Sequence, residues 1–389
     1  MRLKKSNITI LDVGSCPPKG FRTAVSLHSH TLHSKEGLAF VPRYASRIPI
    51  ICFFFDRESD RYFRLNGKRM DFERWYWTPP VAANTVFKSE SERIQSQLGL
   101  KPLVSVTDHD DISTAMVLRL LDPSCSVPIS LEWTLPISGT AIHIGIHNLP
   151  PDLSTSVMGE IARYKSGPNS ARFAELLAWL NEYPGILMVL NHPLSDLNSV
   201  GSERLKAILT EFLSHHRAGI HALEINGYRP WRENHAAFAL AEQYKLTVIS
   251  GGDRHGCSPN AVLNLTNAAT FSEFVSEIRN DKASEVLLMP EYQESLYARK
   301  LESVADFFRY RPDNPVGQQR WTDRVFIRFE GGLVQPLSTY WHRTVPLWVK
   351  SAMWFVCLLG NRNIQPALHM ALARKLGVAF LARMHPRNP

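Results

Sequence analysis

Two histidines that could bind a metal ion lie two residues apart near the start of the chain, in the run His28-Ser29-His30. The five preceding residues, Thr23 to Leu27, are small or apolar and favour a short buried strand. Alternate side chains of a strand point to the same side, so both imidazoles would share one face at its end. Neutral imidazole is a good ligand for transition metals. The chain has 15 histidines, so this pair alone does not establish a metal site.

Five further short apolar runs also end in residues that can bind a metal ion or carry charge. These runs cover 104–107, 129–131, 187–190, 222–223 and 246–249. The polar residues at their ends are Asp108, His109, Asp110, Glu132, His192, Glu224, Asn226, Asp253, Arg254 and His255. In barrels of alternating strands and helices, the C-terminal strand ends meet on one face and carry the active site. The recurrence therefore predicts a metal site on such a face.

Together these motifs resemble the PHP family, the polymerase and histidinol phosphatase type of metal-dependent phosphoesterase. The matching pieces, in the family's order, are His28-x-His30-Thr31, Thr107-Asp108-His109-Asp110, Glu132, His143-Ile144-Gly145, His192-Pro193 and Gly252-Asp253-x-His255. The resemblance covers about residues 22–290. It implies an α/β fold, a distorted seven-stranded (β/α) barrel, with two or three divalent ions (manganese, iron or zinc) at the strand ends. Helical apolar spacing over 84–98, 171–182 and 205–214, and an Ala-rich stretch over 234–244, fit helices between such strands.

The resemblance also implies how the ligands divide. His28, His30, Glu132 and Asp253 would hold one ion, and Glu132 would share a second ion with His143 and His192. His109 and His255 would contribute to a third. A hydroxide bridging two ions would attack phosphorus, with Asp253 orienting or deprotonating that water. The implied catalytic residues are Asp253, Glu132 and His192, and Glu132 bridges because its two oxygens can bind two cations.

One position departs from the family pattern. The family usually continues with Ser-Asp-Gly after the first motif, whereas this chain has Ser34-Lys35-Glu36-Gly37. A protonated lysine cannot bind a metal ion. Three alternatives follow: Glu36 takes the place of the aspartate, the third ion is absent, or Lys35 contacts a substrate anion.

Carboxylates next to a metal-bound histidine commonly accept its second N–H and fix the ring's orientation. Asp108 or Asp110 is therefore predicted to hydrogen-bond to His109. His143 and His147 would share a face of one strand, and the resemblance selects His143 as the ligand. His147 is the alternative.

Further residues at the strand ends could contact substrate or support the ligands. Glu224 is interpreted as a residue that supports the ligands and Asn226 as a substrate contact, although either role is open to both. Arg254 is placed for a substrate anion, although a buried ion pair is also open to it. Arg229 could contact phosphate or pair with Glu233.

The chain is predicted to divide into a lead-in (1–21), the metal-binding domain (22–290) and a mainly helical extension (291–389). Residues 38–78 are predicted to be an insertion, rich in arginine and aromatic residues. The insertion could be a lid over the site that grips phosphate and stacks on a base. Alternatively, it is a helical hairpin that buries its aromatics on the barrel.

Charge is concentrated at the C-terminal end. From Gly331 onward there are seven Lys and Arg and no Asp or Glu, which accounts for +7 of the net charge of +8. The apolar stretch 345–360 is short and interrupted by Pro346 and Lys350, which argues against a membrane-spanning helix. This tail could contact an anionic membrane surface peripherally or form a helical subdomain.

The five cysteines are scattered, and no long apolar stretch follows the N-terminal Met1, so a reducing, cytoplasmic location is expected. The predicted function is hydrolysis of a phosphate ester in a phosphorylated small molecule or a nucleotide. The alternatives are an exonuclease-like enzyme on nucleic-acid ends, a non-catalytic metal-binding module, and hydrolysis of a non-phosphate bond. A catalytic domain that tracks nucleic acid would be basic around its site, which the near-neutral first 330 residues do not favour.

Overall fold

The computed structural model describes residues 6–15, 18–47, 49–122, 127–341 and 345–364, which form a mixed α/β fold. The strands are β1 (Asn7–Ile10), β2 (Thr23–Leu27), β3 (Glu36–Gly37), β4 (Tyr76–Trp77), β5 (Lys101–Ser105), β6 (Ile129–Ile137), β7 (Thr140–Leu149), β8 (Leu187–Asn191), β9 (Ala222–Asn226), β10 (Thr247–Gly251), β11 (Val262–Thr266), β12 (Glu285–Leu288), β13 (Val325–Arg328) and β14 (Val334–Pro336). The helices are α1 (Val41–Ala45), α2 (Pro49–Asn66), α3 (Ala83–Arg93), α4 (Ser113–Leu121), α5 (Pro151–Ser166), α6 (Ser170–Asn181), α7 (Ser202–His216), α8 (Trp231–Tyr244), α9 (Phe271–Ser276), α10 (Leu296–Phe308), α11 (Leu337–Tyr340) and α12 (Leu347–Leu359). A π turn extends α3 over Ile94–Leu98, so the helix predicted over 84–98 is present and ends at Gly99, whose φ is +65°.

Two five-stranded sheets carry the strand ends that matter for function. The first sheet has the order β1-β12-β11-β2-β5, and β2 and β5 run parallel. The second has the order β10-β9-β8-β7-β6, in which β8, β9 and β10 are parallel, β7 is antiparallel to β8, and β6 and β7 form an antiparallel hairpin. The strands β2, β8, β9 and β10 are buried along their whole length, which explains their largely apolar sequences.

Backbone hydrogen bonds beyond the strand ends join the two sheets on both sides. On one side, the N–H of Gly252 donates to the carbonyl of Leu27 at 2.9 Å, and the N–H of His30 donates to Arg254 at 2.9 Å. On the other side, the N–H of Glu132 donates to the carbonyl of Asp108 at 3.1 Å. These links are isolated bridges rather than ladders. A single closed barrel of seven strands is therefore not confirmed by the strand pairing of the described residues.

The hydrophobic core has two layers around these sheets. Val25, Leu27 and Leu103 of the first sheet pack in one buried cluster with Val189 and Ile249 of the second. The opposite face of the second sheet packs on the surrounding helices in a larger cluster, which contains Leu131, Trp133, Ile144, Leu190, Leu223, Phe173, Leu209 and Phe212. Because both faces are covered, the strand ends emerge from a rigid frame.

The chain forms two compact units, and the boundaries differ from a simple linear division. Unit 1 comprises residues 1–36 and 81–294, and unit 2 comprises residues 37–80 and 295–389. The insertion and the C-terminal extension, which the sequence treats as separate segments, thus belong to the same unit.

Unit 2 has its own small sheet and aromatic core. In the sheet, β13 pairs antiparallel with both β14 and β4. Tyr62 and Trp75 of the insertion are buried in the same cluster as Ile327, Leu337 and Trp341 of the extension. These two aromatic residues of the insertion are therefore buried against residues of the extension, whereas Phe53 and Phe63 of the insertion are exposed. No helix among the described residues is long and apolar enough to cross a membrane.

Candidate metal centre

The backbone changes conformation directly after β2, at the first of the two histidines of the site. The strand ends at Leu27, and His28 has a φ of +63°, in the left-handed region. The strand alternation used to predict a shared face therefore does not apply at this point. His28 and His30 are nevertheless brought together, with ring centroids 5.1 Å apart. Candidate ligands His192 and Asp253 also have positive φ, of 25° and 53°. Such backbone strain is typical of functional sites.

Glu132 lies fully buried at the centre of the cluster, with imidazole nitrogens around both of its oxygens. Its Oε1 lies 3.1 Å from His28 Nε2, 3.1 Å from His143 Nδ1 and 3.2 Å from His192 Nε2. Its Oε2 lies 3.3 Å from both His30 Nε2 and His109 Nδ1. One carboxylate therefore connects histidines that follow three different strands, β2, β5 and β8, with His143 inside β7.

A second carboxylate, Glu36, organises the other side of the cluster. Its Oε2 lies 3.3 Å from His109 Nε2 and 3.3 Å from His255 Nε2. Ser34 donates a hydrogen bond of 2.6 Å to its Oε1 and lies 3.1 Å from His30 Nδ1. Lys35, the adjacent residue, is exposed. Of the three alternatives for this departure, the geometry favours Glu36 in the position of the family's aspartate.

Asp253 lies between the two halves of the site. Its Oδ1 is 3.7 Å from the Nε2 atoms of both His28 and His30, and 3.6 Å from His255 Nδ1. Its Oδ2 is 3.3 Å from Arg229. The predicted metal ligands thus lie in one cluster, which contains four overlapping groups that could hold an ion: His30, Glu36, His109 and His255; His28, His30 and Glu132; His28, His192 and Asp253; and His109, Glu132 and His143.

Unpartnered atoms in this cluster fit bound cations. The Nε2 atoms of His28 and His30 lie 3.1 and 3.3 Å from oxygens of Glu132, but without the geometry of a hydrogen bond. These two nitrogens and Glu132 Oε2 are buried without a hydrogen-bond partner among the described residues. Leaving such an atom unsatisfied costs about 1–3 kcal/mol, more when it is charged. The rings of His30 and His255 stack with centroids 4.2 Å apart, which is unfavourable if both are protonated. A divalent cation satisfies these atoms and leaves the imidazoles neutral, so the residues fit a metal centre.

The pKa shifts show how strongly the carboxylates require compensating positive charge. Burial opposes protonation of His109 and His255, but Glu36 outweighs it and raises their pKa values to about 10 and about 9. Burial prevails at His30, where it and the nearby His255 lower the pKa to about 3. Burial also opposes ionisation of Glu36, but His109 and His255 hold its pKa well below the usual range. Protons or cations can balance these carboxylates, and cations do so without charging stacked imidazoles.

Supporting hydrogen bonds orient the ligands, as metal sites require. Glu224 lies 2.6 Å from His28 Nδ1, which fixes the ring with Nε2 facing Glu132. Asn226 donates to Glu224 and accepts from the N–H of Tyr228 at 2.8 Å. Glu224 therefore contacts the ring of a candidate ligand, and Asn226, considered as a substrate contact, is fully buried against Glu224.

Neither aspartate next to His109 contacts its ring. Asp108 accepts hydrogen bonds from Thr31 N at 2.6 Å and from the Thr31 and Thr114 hydroxyls, which ties the first motif to β5 and α4. Asp110 accepts from the N–H of Thr134 at 3.0 Å and pairs with Lys165 at 2.6 Å. The physical reason is the backbone turn, since Asp110 has a φ of 51° and directs its side chain away from the ring.

Arg254 is also placed differently from the substrate contact considered for it. Its guanidinium is 1% exposed, lies 2.6 Å from Glu90 Oε1, and donates to the carbonyls of Gly256 and Cys257 at 3.0 and 2.7 Å. The buried ion pair, the other alternative, is the one that the structure shows. His147, the alternative to His143, bonds to Ser105 at 2.8 Å and lies outside the cluster.

Several residues of the site were not singled out from sequence. Ser34 and Thr134 contact ligand rings, and Asn191 donates to Glu132 Oε1 at 2.9 Å. Asn191 is adjacent to His192 at a strand end, so the same pattern could have indicated it. Nothing local to Ser34 or Thr134 distinguishes them from surface hydroxyls. Arg229 lies 3.4 Å from Glu233, as one alternative considered for it has it, and 3.3 Å from Asp253.

Comparison with known proteins adds little to this geometry. No protein-family model and no curated protein matches the chain. Among solved structures, an amidohydrolase from Chromobacterium violaceum, with bound sulfate and no metal, is 16% identical with a TM-score of 0.31, over 46% of this chain and 83% of that one. A protein described provisionally as a metal-dependent phosphoesterase from Bifidobacterium adolescentis is 14% identical with a TM-score of 0.34, over 67% and 96%. PsfC from Pseudomonas syringae is 13% identical with a TM-score of 0.41, over 70% and 94%. These similarities are too distant to assign a family or an activity.

Proposed function

We propose that the protein is a metal-dependent phosphoesterase that hydrolyses a phosphate ester of a small molecule or a nucleotide. The observation that carries this proposal is the buried Glu132 carboxylate, which has imidazole nitrogens at 3.1–3.3 Å from each of its two oxygens. A carboxylate with ligands on both oxygens is suited to join two cations. Glu36 with His30, His109 and His255 supports a third position, and manganese, iron and zinc all suit this donor set.

The order of the motifs and the connection of the strands support a PHP-type enzyme. β2, β5, β6, β7, β8, β9 and β10 follow one another around a ring when the backbone links at Arg254 and at Glu132 are counted. Each ligand follows or lies on one of these strands, except Glu36. This arrangement is the one that the seven-stranded barrel of the resemblance implies.

The charge of the site supports an anionic substrate. The cluster contains three carboxylates, those of Glu36, Glu132 and Asp253. With Glu224, which contacts His28, they carry four negative charges, so two divalent cations would balance them and a third would leave an excess of positive charge. Arg229, 3.3 Å from Asp253, adds a positive charge beside the same carboxylate. A phosphoryl group is attracted to such a positively charged site.

The side chains can be given separate tasks. Burial opposes ionisation of Asp253, but His192, His28 and Arg229 outweigh it and keep its pKa well below the usual range. Asp253 is therefore an anionic hydrogen-bond acceptor that can orient a water molecule. Bound cations would supply an activated water and offset charge on the phosphoryl oxygens. Arg229 is placed to bind a phosphoryl oxygen, and His192 completes the ligands around Glu132.

Nucleic acid is not favoured as substrate. Unit 2 contains 22 Lys and Arg against 10 Asp and Glu, so unit 1, which carries the site, has a net charge of −4. A domain that tracks a phosphate backbone would have the opposite sign. Cys52 and Cys357, which form no disulfide with any described residue, agree with the proposal that the enzyme acts in the cytoplasm.

The test combines metal content with phosphate release. Purified protein is assayed for bound metal and for hydrolysis of an aryl phosphate and of nucleoside monophosphates, with manganese, iron or zinc added. We expect two or more ions per chain and metal-dependent phosphate release. Glu132→Gln keeps the side-chain volume and should lower both metal content and turnover, the latter by more than about 100-fold. The matched control is Glu175→Gln, at an exposed position of α6, which should change neither the metal content nor the turnover.

The possible outcomes distinguish a failure of the proposed metal site from a failure of the proposed reaction. A chain that takes up no metal contradicts the whole proposal. Bound metal without release of phosphate from any ester contradicts the proposed phosphoesterase activity and points to hydrolysis of another kind of bond. Arg229→Met should raise KM roughly 10- to 100-fold and leave bound metal unchanged, whereas Arg232→Met, on the exposed start of α8, should leave KM unchanged.

A further inference from the structure

One side of α12 is fixed within unit 2. The ring of Trp348 stacks on Phe54 of α2, with centroids 5.3 Å apart and planes 9° from parallel. Just beyond the helix, Arg362 forms an ion pair of 2.8 Å with Glu302 of α10. These contacts at both ends of the helix set which of its faces points outward.

The outward face of α12 is apolar and carries one cation. The exposed positions Leu347, Lys350, Ser351, Trp354 and Phe355 recur at spacings of three and four residues, so they lie along one side of the helix. Leu347 is 80% exposed, Trp354 is 68% exposed and Phe355 is 55% exposed. Single exposed apolar residues are ordinary, but three on one short helical face form a patch.

A further exposed aromatic residue of unit 2 lies on α2. Phe53 is 63% exposed, and its ring lies 5.4 Å from that of Phe54, which in turn stacks on Trp348. Both helices of unit 2 that make this aromatic contact thus also carry large apolar side chains exposed to solvent.

The charge of unit 2 indicates what could cover this patch. Unit 2 has a net charge of +12, whereas unit 1 has −4. No Asp or Glu occurs from Gly331 to the end of the chain. An apolar face in a strongly basic unit is complementary to a surface that is both apolar and anionic. Nucleic acid fits less well, because the outward face of α12 offers a single cation, Lys350, among three large apolar residues.

We propose that unit 2 docks on the surface of a membrane that contains anionic lipid, through the outward face of α12 and Phe53 of α2. A helix of 13 residues is about 20 Å long, so α12 would lie in the plane of the interface. Trp354 and Phe355 insert at the boundary of headgroups and acyl chains, and Lys350 pairs with lipid phosphates. This docking is independent of the reaction proposed for unit 1.

The test is sedimentation of the full chain with vesicles. We expect binding to phosphatidylcholine vesicles that contain phosphatidylglycerol, weaker binding at high salt, and little binding to phosphatidylcholine alone. The double variant Trp354→Ser and Phe355→Ser should bind at least about 10-fold more weakly. Its matched control is Leu120→Ser with Leu121→Ser on α4 of unit 1, where the side chains are 80% and 68% exposed. The control should bind as the unchanged protein does.

A single variant, Lys350→Glu, keeps every apolar group and should also weaken binding, which covers the case in which the double variant fails to fold. Absence of binding to the anionic vesicles, or equal binding by the unchanged protein and both variants, overturns the proposal. A dimer that the double variant dissociates, without any vesicle binding, would instead make this face an interface between two copies. Binding of single-stranded DNA in place of vesicles, unaffected by the double variant, would overturn the proposal in favour of nucleic acid.

Discussion

Arg254 and Glu90 form a fully buried ion pair, with Arg254 Nη1 2.6 Å from Glu90 Oε1. Glu90 also accepts hydrogen bonds from the hydroxyl of Ser26 at 2.9 Å and from the N–H of Asn260 at 3.0 Å. The pair therefore connects three segments: β2, α3 and the loop after β10.

This pair positions metal ligands on both sides of it. Arg254 stands between Asp253 and His255 in the chain, and its carbonyl accepts the N–H of His30 at 2.9 Å. Arg254→Met would leave the Glu90 charge buried without its partner, at a cost of roughly 3–5 kcal/mol in the free energy of unfolding. We expect this loss in chemical denaturation, together with weaker metal retention during dialysis. The matched control is Arg163→Met, which breaks an exposed pair with Glu160 and should cost less than about 1 kcal/mol. Equal effects of the two variants would show that the buried pair has no special role.

The adjacent residues Lys35 and Glu36 allow a direct test of the third metal position. Glu36 is buried with His109 and His255, whereas Lys35 is exposed. Glu36→Ala should lower the number of bound ions by one and leave those that contact Glu132. Lys35→Ala should leave the metal content unchanged. Elemental analysis of the two purified variants measures how many ions each one binds. An equal metal content in both would mean that Glu36 holds no ion.

Gly252 is required by a close approach of backbone to side chain. A Cβ at this position would overlap the side-chain amide of Asn260. That amide donates to the carbonyl of Leu27 at 3.0 Å and to the hydroxyl of Ser29 at 3.0 Å, on either side of His28. Gly252→Ala should therefore cost about 1–3 kcal/mol of stability and lower metal affinity. Gly167→Ala, in open space with a negative φ, should change stability by less than about 0.5 kcal/mol. Equal losses of stability in the two variants, measured by thermal unfolding, would contradict this role of Gly252.

His221 is a buried neutral histidine outside the metal cluster. Its Nδ1 accepts a hydrogen bond from the N–H of Met188 at 2.8 Å, and its Nε2 lies 2.9 Å from Asn181 Oδ1. Burial, together with the positive charges of Arg279 and Lys282, lowers its pKa to about 3.

This shift predicts a pH dependence of stability. The unfolded chain binds a proton at His221 first, near pH 6.5, so the contribution of this residue is complete above that pH. It is lost as the pH falls from about 6.5 toward the folded pKa of about 3, by about 1.4 kcal/mol per pH unit. His221→Gln should reduce the acid dependence of the unfolding free energy by this amount, whereas His215→Gln, at an exposed position, should not. An unchanged slope for His221→Gln would mean that the buried ring is protonated already.

The sequence by itself determined the short elements and the order of the chemistry. The apolar runs before His28, Asp108, Glu132, His192, Glu224 and Asp253 are strands in the structure, because burial on both faces imposes an apolar composition that can be recognised locally. Most candidate ligands follow the ends of these strands, whereas Glu132 lies inside β6, which continues to Ile137. A pattern of residue types at strand ends is thus enough to nominate a site, since strand direction dictates which ends can meet.

Only the tertiary structure decided where each side chain points. Positive φ values at His28, Asp110 and Asp253 redirect their side chains, and no periodicity in the sequence reports the sign of φ. The pairing of Arg254 with Glu90 joins residues 164 positions apart, and the insertion meets the extension to form one unit. Such long-range choices depend on how whole elements pack, and local sequence patterns therefore do not report them.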